Sequence, residues 1–335
     1  MKAEGGRRNK GFVEKMFHRK GKNSRFKYYV LNVMRYLQPR FLLRPKIADL
    51  YDFVERRADK DLIYDRVNYY NRLTDRIPIP DGEGTMVRDF HLKGHGSSYF
   101  FDTYEFLRYF DTNQRFIPLF GDITYVPDLP SIVKSRPISS DGMNAFSVLL
   151  NLDKCRHFVF LNDTVPFDKK EFKIIFRGEC KGKPKRQAFV EKFRNNPLCD
   201  VADVCVYDEK GGLKGFANML SLYDHCRYKF IMSLEGNDVA SNLKWVMSSN
   251  CIAVMPRPVY ETWYMEGRLI PDYHYIEVKP DYSDLIEKTT WYAEHPDEAN
   301  EIIEHAHQWV AQFKDKEREK LVSLMVLDKY FRHTK

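Results

Sequence analysis

The chain has 335 residues, with 54 Lys and Arg against 47 Asp and Glu, for a net charge of +7 at neutral pH. That length suits two domains of roughly 150 residues each, and no apolar run approaches the ~20 residues needed to cross a bilayer. The six cysteines (155, 180, 199, 205, 226 and 251) contain no C-x-x-C pair. This spacing argues against a disulfide framework or zinc site and for a reducing, cytoplasmic setting, and no signal-peptide core is read at the N-terminus.

Charge is uneven along the chain. Residues 1–46 hold fourteen Lys and Arg against Glu4 and Glu14, a net +12 that leaves the remainder near −5. This basic arm runs beside Tyr28, Val30, Leu31, Val33, Met34, Leu37 and Phe41, which predicts an amphipathic helix drawn to an anionic membrane face or glycolipid. A solvated arm is the plainer reading. Nucleic acid is the competing partner, but no nucleic-acid motif accompanies the charge, and none is expected to bind. Apolar spacing predicts helix over 47–76, ended by Pro78 and Pro80. A helix is expected over 100–110, and a buried strand over 115–120 runs into Gly121-Asp122. A linking helix is expected over 144–152.

From there strands and helices alternate: strand 172–176, helix 186–195, strand 203–207, helix 218–227, strand 228–234, helix 239–248, strands 251–255 and 274–278, then helices over 283–330. Short connections between alternating elements predict a parallel sheet covered on both faces. Domain limits are placed at 1–46 for the arm, 47–148 for an acceptor-side domain and 149–309 for a Rossmann-like domain. The C-terminal helix near 310–335 is expected to pack back on the first half.

Three strand ends in this half are expected to meet at one crevice. The first carries Arg177, Gly178 and Arg186, where an apolar strand opens into a cationic turn and a helix N-terminus suited to phosphate. The turn lacks both G-x-G-x-x-G and the Walker spacing. The second is Glu235-Gly236-Asn237-Asp238, where Glu235 is placed to hold ribose hydroxyls, and Asn237 or Asp238 could instead cap the next helix. The third is Pro256–Glu266, whose Tyr260 and Glu266 are either ligand contacts or interdomain packing. His91 and His95 lack the H-E-x-x-H glutamate, His305 and His307 point apart on a helix, and Asp59-Lys60-Asp61 lies in a charged helix. No metal site is expected.

Many ordered segments carry a resemblance: Gly121-Asp122-Ile123-Thr124, Lys134-Ser135-Arg136-Pro137-Ile138, Arg156-His157-Phe158, Phe176-Arg177-Gly178, Asp224 to Phe230, Glu235-Gly236-Asn237-Asp238, and Trp245 to Asn250. Across roughly Arg115–Trp291 the chain resembles glycosyltransferase family 90, in its bacterial lipopolysaccharide branch. The resemblance implies a GT-B-like α/β fold with two Rossmann-like domains across a cleft. It also implies inverting, metal-independent transfer from a UDP-sugar, without a cofactor, to a lipopolysaccharide core or related glycan. It makes Asp122 the base and the Arg177, Gly178, Arg186 and Glu235 to Asp238 positions the donor contacts, with Lys134 and Arg136 touching substrate. The chain departs from the family pattern in two places: Glu179 stands where a phosphate-contacting serine is expected, and a second arginine position falls near Asn242, for which Lys244 is the substitute.

Overall fold

The computed structural model describes residues 20–40, 43, 45–92 and 96–335. His95 and the first nineteen residues of the basic arm lie outside that range. Within it, the strands are β1 (Thr85–Met86), β2 (Arg115–Phe116), β3 (Pro118–Leu119), β4 (Ser131–Val133), β5 (Ser135–Pro137), β6 (Ser147–Leu149), β7 (Glu171–Gly178), β8 (Cys199–Asp203), β9 (Cys205–Tyr207), β10 (Leu213–Phe216), β11 (Tyr228–Met232), β12 (Ile252–Met255), β13 (Tyr260–Thr262) and β14 (Ile276–Glu277). The second half is built on a parallel sheet in the order β14-β12-β11-β7-β8. A smaller parallel sheet, β3-β4-β6, lies in the first half. The chain is therefore a mixed α/β protein.

Alternation along the central strands explains why the large sheet is covered twice. Successive side chains of a strand point to opposite faces. Ile174 and Phe176 of β7, with Phe230 and Met232 of β11, pack against Phe189, Phe193, Leu285 and Ile302. Ile175 and Ile231 face the other way, into a core shared with Phe100, Leu107, Ile132, Val148 and Val322. One continuous interior thus joins the first half to a face of the large sheet. The antiparallel pair β5–β13 is a second join, and its register sets Arg136 opposite Glu261.

The ends are anchored locally. Asp315 accepts from the backbone N–H of Glu317 and Arg318 to start the Lys316–Thr334 helix, which lies against the Lys60–Tyr70 and Ser97–Leu107 helices of the first half. Ser221 and Asp224 form a reciprocal cap on the Leu222–His225 turn. At the other end Arg25–Leu37 is helical. Among the described residues, no helix is long and apolar enough to cross a membrane.

Of the expected helix 218–227 only Leu222–His225 forms, and the parallel strand expected at 203–207 is Cys199–Asp203, while Cys205–Tyr207 pairs antiparallel outside the sheet; two further expected helices are corrected. The 144–152 segment contains β6, a short buried apolar run of the kind that periodicity cannot separate from a helix. The 239–248 helix shrinks to Leu243–Val246, because residues 236–240 form an irregular turn at the end of β11.

Candidate active site

In the large sheet β8 lies on one side of β7 and β11 on the other, so the strand order reverses between β7 and β11. Crevices outside the carboxyl ends of strands at such a reversal are where open α/β sheets take ligands. Arg186 fills part of this one. Its Nη2 donates to Leu234 O at 2.7 Å, Nε to Glu235 O at 3.1 Å and Nη1 to Glu179 O at 3.2 Å. The guanidinium thus ties the loop after β7 to the loop after β11. Gly236 leaves it room, since a Cβ there would sit 2.9 Å from Nη2.

The loop after β11 meets a carboxylate from the first half. Asp122 accepts a hydrogen bond from Asn237 Nδ2 at 2.9 Å and pairs with the Lys134 ammonium. Lys134 is nearly inaccessible and also pairs with Asp238 at 2.8 Å, so a single cation joins carboxylates from both halves. Burial pushes the Asp122 carboxyl up, but the bonds from Lys134 and Asn237 outweigh it and hold the group below its ordinary range. Asp122 is therefore ionised at neutral pH. Asp238 caps no helix; its role is this ion pair.

Beside this cluster lies a cavity of about 520 Å³, lined from the first half by Arg25, Tyr28, Tyr29 and Ser98, and from the second by Arg177, Met232, Asn242 and Trp245. The volume lies within the ~300–1,000 Å³ of small-molecule sites. Among the described residues its charged lining is Lys22, Arg25, Arg156 and Arg177 against Asp153, which favours an anion. Asp153 holds a left-handed backbone at φ 55° and pairs with Arg156 Nε at 2.7 Å. Arg156, which lines the cavity, is also one of the charges that lower the Asp122 pKa. His225 points its Nδ1 at Ser221 O, 2.8 Å away, so that nitrogen carries the proton and Nε2 is left as an acceptor. Burial lowers the pKa of His225, which favours the neutral ring.

Several expected contacts are placed differently. Arg177 and Arg186 lie on opposite faces of the sheet and do not grip one ligand together. Arg177 faces the cavity, where its donors reach Asn218 O, Asp200 O and Asp200 Oδ1, while Arg186 lies over the Phe176 ring on the other face. Arg136 is 0% exposed, pairs with Glu261 and donates to the carbonyls of Tyr69, Tyr70 and Ser147. Lys244 is likewise 0% exposed and pairs with Glu266 at 2.7 Å, and Glu266 also accepts from Thr262 N. These three side chains are corrected to internal ties, because each turns its charge into the core. Glu235 accepts from Val259 N at 2.9 Å and Tyr260 N at 3.3 Å, and burial raises its pKa. With Tyr260 it borders a separate slot of about 150 Å³.

Sequence reasoning gave no role to Arg25, Tyr28, Asp153, Arg156, His225 or Trp245, which come together only through folding. The available signal was that Arg156, His225 and Trp245 lie in segments that carry the family resemblance. Among the described residues, Asp163, Cys226 and Cys251 bring ligand atoms within 4.8 Å of one another, but Lys170 Nζ already occupies Asp163 at 2.7 Å. His91 and the His305–His307 pair join no such group.

Comparison with known proteins gives a consistent result. The family model described as Glycosyl transferase family 90 matches residues 151–331. The chain is 40% identical over 310 residues to the O-glucosyltransferase LpsA of Dichelobacter nodosus, covering 92% of this chain and 95% of that one. It is also 27% identical over 165 residues to protein O-glucosyltransferase 3 of Homo sapiens, covering 48% of this chain and 32% of that one. Protein O-glucosyltransferase 1 of Rattus norvegicus is 28% identical over 155 residues, covering 43% and 38%.

Proposed function

The chain belongs to glycosyltransferase family 90 and is a glycosyltransferase, and from that premise we propose that it moves glucose or a related sugar from a UDP-sugar to a glycan hydroxyl with inversion. The arrangement taken for this reaction is GT-B-like, with residues 47–148 on the acceptor side and 149–309 holding the donor. The observation that carries the reading is the ionised Asp122 carboxylate beside a cationic cavity at the carboxyl ends of the sheet.

In this mechanism the donor diphosphate lies in the cavity near Arg156, Arg25 and Arg177, with Tyr28, Tyr29 and Trp245 offering aromatic faces to the base and sugar. Asp122 takes the proton of the acceptor hydroxyl as its oxygen attacks the anomeric carbon. The bond from that carbon to the diphosphate breaks on the opposite side, and its electron pair leaves with UDP. Guanidinium groups fixed in advance stabilise the charge that grows on the leaving phosphate. Arginine charge meets that need without a metal ion or other cofactor. The acceptor proposed is a lipopolysaccharide core or related surface glycan, made on the cytoplasmic side of the membrane. This choice is supported by the coverage of the bacterial relative.

Calorimetry with UDP, GDP, ADP and CMP, with EDTA present throughout, tests the donor. UDP is expected to bind best. Arg156→Ala should weaken it about tenfold, the usual loss for one charge-assisted hydrogen bond, since Arg156 is half exposed and can be removed without unfolding the core. Equal affinity for all four nucleotides, or unchanged UDP affinity in Arg156→Ala, would overturn this placement.

A further inference from the structure

We propose that the Arg25–Leu37 helix lies in the surface of an anionic bilayer, with Phe26, Val30, Val33, Met34 and Leu37 inserted among the headgroups. These five residues recur at helical spacing and share one face. All point outward: Phe26 is 80% exposed, Leu37 74% and Met34 64%, with Val33 and Val30 above 40%. Single exposed apolar residues are ordinary, whereas a continuous stripe marks an interaction surface.

The helix cannot roll to hide this stripe, because its other face is already committed. Tyr28 donates to Asp102 Oδ1 at 2.8 Å. Tyr36 packs on Phe100 and Tyr104 with ring centroids 5.7 and 5.0 Å away, and Tyr29 meets Phe101 edge-on. Asn32 is buried in the same seam. The helix therefore has two apolar faces, one spent on the protein and one turned to solvent.

Charge selects the occupant. No acidic residue occurs between Glu14 and Asp49, while Lys20, Lys22, Arg25 and Lys27 gather at the start of the stripe; Arg35 turns to Glu105 and Arg40 lies over the Tyr104 ring. A basic helix with a lipid-sized apolar face and moderate length is the pattern of interfacial binding to anionic lipid. An apolar stripe with cations at its start and no acidic residue along it suits a phosphate-rich surface better than a neutral one. The same helix walls the large cavity through Arg25, Tyr28 and Tyr29, so docking it on a bilayer would bring that opening to the membrane plane.

The test is co-sedimentation of the full chain with phosphatidylcholine vesicles, with and without phosphatidylglycerol. Binding is expected only with the anionic lipid. Added salt should weaken it without abolishing it, since the inserted stripe is not screened. The double variant Phe26→Glu with Leu37→Glu should lower partitioning by about tenfold or more, with an unchanged circular dichroism spectrum because both side chains are exposed. Wild-type binding by the variant would overturn the proposal and leave the charges alone responsible. A concentration-dependent dimer in sedimentation velocity that the variant abolishes, while vesicle binding persists, would overturn it in favour of a second copy on this face. Neither readout depends on sugar transfer, so a failure here is separable from a failure of the donor and base assignments.

Discussion

At the scale of single residues, the arrangement turns on Lys134, which the sequence suggested as a substrate contact. The structure buries it between Asp122 and Asp238, so in the proposed reaction it acts through Asp122. Its ammonium is one reason the Asp122 pKa is depressed, because an opposite charge in contact favours the ionised form. A base works only when ionised, so the rate falls as pH drops through its pKa. Lys134→Met raises that pKa and should therefore move the acidic limb of the pH–rate profile to higher pH, with Lys134→Arg restoring it. An unmoved limb in a variant whose circular dichroism is native would show that Lys134 does not tune the base. The position of Asp122 just past a strand was legible because an apolar run ending in Gly-Asp marks a strand terminus, while its role as base came from the family resemblance. The burial of Arg136, Lys244 and Glu266 was not, because a charge in sequence carries no sign of whether its partner lies in solvent, substrate or core. Arg136 and Glu261 are 125 positions apart, and only the pairing of two short strands sets them face to face.

At the scale of elements, that β5–β13 pair is where the two halves are stitched by charge. Breaking a buried ion pair from one side leaves an uncompensated charge, at a cost of about 3–5 kcal/mol. Glu261→Gln should therefore lower the unfolding free energy by about that amount in denaturant titration. Joint replacement of Arg136 and Glu261 by Met and Leu should recover much of the loss; a double variant no better than the single would assign the cost to packing instead. The parallel sheet was readable from its alternating apolar strands, β7, β11 and β12 in particular, because strands buried on both faces form unbroken apolar runs. The Ser147–Leu149 strand was misread for the same reason: a run this short satisfies either period. The lost helix after β11 reflects tertiary override. There Asp238 serves Lys134 and Asn237 serves Asp122, so neither is free to start a helix.

At the scale of the whole molecule, one core runs from the first half into a face of the large sheet, and the cationic cavity opens where the two meet. The sequence led to the expectation of a phosphate-binding crevice at the carboxyl ends of the parallel strands, opposite the Asp122 carboxylate. It did not show that Arg186 braces two loops on one face of the sheet while Arg177 looks into the cavity on the other. That division follows from strand alternation together with the place to which the helix after β7 returns, and the latter is a property of the closed fold. In the proposed reaction Asp122 removes the acceptor proton while the second half holds the nucleotide. The most direct measurement compares Asp122→Asn with the native chain, following glucose transfer from UDP-glucose to purified lipopolysaccharide alongside the calorimetric affinity for UDP. The account predicts transfer slowed roughly 10²- to 10⁴-fold with UDP affinity unchanged; native turnover by Asp122→Asn would contradict it.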